Sequence, residues 1–182
     1  MFVPHILSCK RPPHETRLNL ALGKKHRKAM ELITKEISEA LNSLSIPADT
    51  FRLLSDVETE KIYKKLLSSF VSGADRKWWW ESFSQPEFVL SLADEKAFKN
   101  ITSLVPNPEE VVWFVAEEDQ LPFYPIYEAC SSDIQKVIGE CYGFEYYIAS
   151  KKMDWLLCEN HHNNFIGVGD AVIQNMKLRK NA

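Results

Sequence analysis

The apolar residues of this chain change their spacing at Pro106 and Pro108, and that change restricts the fold more than any single motif does. Upstream, apolar positions recur at three- and four-residue steps. Met30, Ile33, Ile37, Ala40, Leu41 and Leu44 line one side of a helix predicted over 24–44. Lys28, Glu31, Lys35, Glu36 and Glu39 lie opposite, and Pro47 stands beyond its end. Ile62, Leu66, Leu67 and Phe70 repeat the pattern over 57–71, where Ser55 or Asp56 is placed to cap and Gly73 to stop. A short third helix is predicted over 94–104. The first twenty residues, with Pro12 and Pro13, read as irregular.

Downstream, residues 111–116 (VVWFVA) form a continuous β-prone run, the pattern of a strand covered on both faces. Further strands are predicted over 123–127, 144–149, 155–159 and 164–168. Pro125 places the first of these at an edge or a bulge, because proline cannot donate to the ladder. Ser132 or Asp133 caps an inserted helix that ends at Gly143, and a short helix over 170–178 follows Gly169. Helices first and strands afterwards, without regular alternation, imply an α+β fold. The expected arrangement is N-terminal helices packed on a mostly antiparallel C-terminal sheet of about five strands, with one inserted helix and a short terminal helix. A length of 182 residues fits one domain, 1–182.

Charge and composition narrow the function classes. A net charge of −3 makes nucleic acid an unlikely main partner. No stretch reaches the roughly 18–20 apolar residues that span a bilayer, and the N-terminus carries no secretory pattern, so a cytoplasmic location without membrane contact is expected. Cys9, Cys130, Cys141 and Cys158 are widely spaced and read as reduced thiols.

The densest chemistry lies in Cys158, Glu159, Asn160, His161, His162, Asn163 and Asn164. Glu159, His161 and His162 are candidate metal ligands, and Cys158 adds a thiol for a metal-binding or hydrolytic enzyme. Adjacent side chains on a strand point to opposite faces, so His161 and His162 converge only if a turn bends the chain between them. The asparagines favour such a turn, and a hairpin tip facing water is the plainer reading. A His-Asn-His nuclease needs a further histidine downstream, and none follows His162. No serine elbow or phosphate loop is present, and Gly167-Val168-Gly169 is too short for a dinucleotide fingerprint. No catalytic or cofactor-binding residue is assigned and no cofactor is expected. Strand-end carboxylates such as Glu128 and Glu145 read as solvated groups or guards against edge pairing.

Over residues 105–176 twelve Asp and Glu face three lysines and no arginine, whereas the helical half carries the basic run Lys24, Lys25, His26, Arg27 and Lys28. An acidic face rich in aromatic rings suits docking of a basic protein. Trp113, Tyr124, Tyr127, Tyr146 and Tyr147 are the candidate anchors, with Glu117, Glu118 and Asp119 as charge partners. Trp78, Trp79 and Trp80 cannot share one face; two in the core and one partly exposed is the expectation.

Residues 144–162, FEYYIASKKMDWLLCENHH, resemble the signature of an uncharacterised bacterial domain family, with supporting similarity at VWFVAE (112–117) and FYPIYE (123–128). The resemblance covers about 110–170 and leaves out the N-terminal helices. It implies no activity and no functional residue. The build is loosely similar to that of bacterial immunity proteins. That likeness implies a cytoplasmic protein that neutralises a cognate toxin, such as a nuclease, by occlusion. A self-assembling or regulatory module acting through the tryptophan run is the other interaction reading, and the oligomeric state stays open.

Overall fold

The computed structural model describes residues 33–73, 77–92, 96–119 and 121–181. The predicted irregular start, the first turns of the first helix and the basic run at 24–28 lie outside them. The first described helix, α1, occupies 33–44 and buries Ile33, Ile37 and Ala40, the positions its periodicity selects. The strand β1 (Arg52–Leu53) follows, then α2 (Asp56–Phe70). Ser55 opens α2 with a capping box: its side chain accepts from Glu58 N–H while the Glu58 carboxylate accepts from Ser55 N–H. Arg52 adds a second grip on that carboxylate, and together these contacts hold Glu58 down at about 2.

Next come β2 (Glu87–Ser91), α3 (Ile101–Leu104), β3 (Val111–Ala116), β4 (Ile126–Cys130), α4 (Ser131–Ile138), β5 (Tyr146–Ala149), β6 (Leu156–Glu159), β7 (Asn164–Val168) and α5 (Asp170–Lys180). The fold class is α+β. The sheet has seven antiparallel strands in the order β1-β4-β3-β5-β6-β7-β2, where about five were expected. The two additional strands come from the half read as helical, and they form the two edges. β1 pairs with β4 through Arg52 opposite Glu128, and β2 pairs with β7 through Glu87 opposite Val168.

Other boundaries shift for local reasons. Pro125 lies just before β4 instead of inside it, so β4 runs in the sheet interior with every ladder N–H available, and Pro125 contributes only its carbonyl, to Ala116 N–H. The predicted third helix is a 3₁₀ turn, Ala97–Asn100, running into the four residues of α3. α4 ends at Ile138, five residues before Gly143, and its cap position is Cys130, upstream of Ser132 and Asp133.

Helices cover both sheet faces. On one face Phe114, Tyr146, Ile148, Leu157 and Phe165 pack against α1, α3, α4 and α5. On the other, Val115, Tyr147, Ala149, Leu156 and Cys158 pack under Tyr63, Leu66 and Phe70 of α2 and under Trp79. Strand neighbours therefore alternate between two cores, and β5 is buried at all four of its residues. No helix among the described residues is long and apolar enough to cross a membrane.

Candidate functional site

One end of the sheet gathers polar groups that neither core absorbs. Glu117 continues β3, its N–H bonding the Glu145 carbonyl at 2.9 Å. By strand parity the side chains of Glu117, Glu145 and Tyr147 share the face covered by α2. Tyr147 Oη donates to Glu117 Oε2 at 2.9 Å and accepts Trp79 N–H at 3.1 Å. Burial, first, and then the neighbouring Glu145 carboxylate push Glu117 up to about 7. Burial likewise raises the Tyr147 phenol far above its ordinary range.

Glu145 in turn holds the β6–β7 hairpin. Its Oε1 accepts from His161 N–H at 2.7 Å and lies 2.5 Å from His161 Nδ1. The turn is built by Asn160, whose buried side-chain oxygen accepts from the N–H groups of His162 and Asn164. Asn163 supplies a left-handed residue, φ 56°. The chain bends as the asparagines suggest, and the His161 and His162 rings meet with centroids 4.0 Å apart.

The tryptophan run arrives at the same place. Trp79 is fully buried, stacked on Tyr147 at 4.6 Å and on Tyr124 at 5.7 Å. Trp80 is half-buried and meets the His161 and His162 rings edge-on at 5.8 and 6.0 Å. Trp78 is 42% exposed, lies 6.1 Å from His161 and adopts φ 47°, ψ 62°. One indole is in the core, one straddles it and one faces solvent, a step more exposed than the two-and-one division expected. Lys77 and Asp119 pair at 3.3 Å beside this patch, and Asp119 also accepts from Tyr124 Oη.

Sequence reasoning named several residues that the structure places elsewhere. Tyr124, Tyr127, Tyr146 and Tyr147 are 0–3% exposed and belong to the two cores, so they offer no ring to a partner. The expectation assumed one open sheet face, and α2 with the tryptophan run closes it. Trp113 is half-buried beneath Lys151 Nζ, 4.7 Å from the ring centre. Glu117, Glu118 and Asp119 are half-buried. Much of the acidic excess is matched internally: Glu128 binds Arg52 and Lys151, Asp133 binds Lys136, and Glu110 meets Lys152. The Cys158, Glu159, His161 and His162 set does not assemble. Cys158 is fully buried under α2, while Glu159 turns to the other face and accepts from Tyr146 Oη. Among the described residues no three His, Cys, Asp or Glu side chains are grouped to hold a metal.

Sequence reasoning missed the role of Glu145 and the meeting of the tryptophan run with His161. Glu145 lies inside the 144–162 segment, which was a usable signal. No local signal joins Trp78 to His161, because only strand order brings them together.

A family model matches residues 30–180, nearly the whole described chain, under the description Family of unknown function (DUF6756). The chain belongs to the DUF6756 family. The match extends the similarity well beyond residues 110–170, and it takes in the N-terminal helices, which had shown no resemblance. No curated protein and no solved structure matches. The family thus spans all seven strands and the whole Trp78–His161 patch.

Proposed function

We propose that the protein is a protein-binding module of the toxin-immunity kind, acting in the cytoplasm and seating a basic partner on the Trp78, Trp80, His161 and His162 patch. The observation that carries this reading is Trp78. A tryptophan in the left-handed region is strained, and a solvent-facing indole forgoes burial, so two costs fall on one side chain at the surface. Exposed tryptophan ringed by other aromatics is the usual composition of an interaction hot spot. Glu117, Glu118, Asp119 and Glu145 behind the patch would lend it negative potential that steers a basic surface toward it, most fully above about pH 7, where Glu117 is ionised.

The test uses the protein encoded beside this one. Purified together, the two should bind, with affinity falling as salt rises, and the partner should lose its toxicity. Trp78→Ala and His161→Ala should each weaken binding by about tenfold or more while the fold persists. A neighbouring product that neither binds nor is neutralised, or one that binds both variants as well as wild type, overturns the reading.

A further inference from the structure

His161 also lines a cavity of about 600 Å³ that Trp78, Trp80 and His162 do not line. Its lining includes the cross-strand pair Tyr146 and Glu159, whose side chains are hydrogen-bonded through Tyr146 Oη, and the Glu145 carboxylate that holds His161. Phe98 and Phe144 give it aromatic walls. The Glu159 carboxylate is half-buried and meets no cation among the described residues. Burial raises its proton affinity, against the opposing hydrogen bond from Tyr146. A half-buried carboxylate in a cavity partly lined by aromatic rings is the complement of a flat, delocalised cation, which stacks on a ring while its N–H groups donate to the oxygens. Ammonium is more strongly hydrated and cannot stack, so it fits less well.

We infer that this cavity binds a guanidinium group, presented by an arginine side chain of the protein seated on the neighbouring patch. Only the source of the group rests on the protein-binding reading; the site itself does not. Glu159 accepts the guanidinium N–H groups, and the aromatic lining from Phe98 and Phe144 offers its plane a surface to stack on.

Arginine amide is the probe, titrated into the full chain by calorimetry. Cys141 lines the same cavity and gives a second readout, because a bound probe should slow its labelling by a small thiol reagent. Arginine amide should bind, while lysine amide and the neutral urea isostere citrulline amide should bind at least about tenfold more weakly. Glu159→Gln should remove the preference for guanidinium over urea. Equal binding of the three probes to wild type, or undiminished arginine amide binding to a folded Glu159→Gln variant, overturns the inference. Trp78→Ala should leave arginine amide binding unchanged. Probe binding without a protein partner would therefore remove the proposed function alone, and a partner that binds Glu159→Gln as tightly as wild type would remove the arginine source.

Discussion

Tyr147 Oη accepts the backbone N–H of Trp79 at 3.1 Å, across 68 residues of chain. The same oxygen donates to Glu117, so one phenol ties the tryptophan run, the sheet and the carboxylate cluster together. Tyr147→Phe would leave a buried N–H without its acceptor. The expected loss is about 1–3 kcal/mol in denaturant unfolding. A variant as stable as wild type would show that the bond contributes nothing.

Glu117 makes stability depend on pH in a direction opposite to most carboxylates. In the unfolded chain it ionises near 4.5, and in the fold only at about 7. Its contribution is therefore fully present below 4.5 and lost as pH rises to 7. At about 1.4 kcal/mol per pH unit, discounted for partial exposure, the loss is on the order of 2 kcal/mol. Glu58 acts in the opposite sense, its contribution being lost as pH falls from 4.5 toward 2. Unfolding midpoints between pH 4.5 and 8 should decline more steeply for wild type than for Glu117→Gln. Parallel curves would count against a raised Glu117.

Adjacent tryptophans should separate folding from binding. Trp79→Ala removes a fully buried ring and should cost about 3–5 kcal/mol. Trp78→Gly relieves a left-handed residue, offsetting what the exposed ring contributes, and should change stability by less than about 1 kcal/mol. Thermal melts of the two variants give the comparison, and similar losses would mean that Trp78 is a core residue in solution.

How far the sequence carried depended on the range of the interactions involved. β3, β6 and β7 were located to within a residue because runs buried on both faces are visible locally. β1 has only two residues and no period to detect. β2 carries Phe88, Val89 and Leu90 after Pro86, a short signal whose meaning comes from β7, some eighty positions away. The tyrosines on β4 and β5 were read as anchors because the closing of the second sheet face depends on α2 crossing it, which spacing does not reveal. Acidic residues can be counted in a sequence, but their partners, such as Arg52 for Glu128, are fixed by register. The histidine turn was legible because the asparagines that build it are its immediate neighbours.

Two glycines near the last helix should respond differently to alanine. At Gly169, φ is 94° and a Cβ would sit 2.3 Å from the Asp154 carbonyl oxygen, a backbone atom that cannot yield cheaply. At Gly167 the obstacles are side chains, the flexible Met176 with its sulfur at 2.3 Å and Val172 Cγ1 at 2.8 Å, and φ is not left-handed. Gly169→Ala should be destabilised by more than about 2 kcal/mol and Gly167→Ala by less. Chemical denaturation would rank them, and the reverse order would contradict the packing described around α5.

The sheet's two outermost strands are the first to leave the ribosome, and each waits for a neighbour made later. β2 has nothing to pair with until β7 emerges at Asn164–Val168, about seventy residues later. The hydrophobic residues of β2 must stay unpaired while the intervening residues are made, which exposes the nascent chain to aggregation. A chain stalled before residue 164 should be cleaved readily by protease, and extension by a few tens of residues past the exit tunnel should make it resistant.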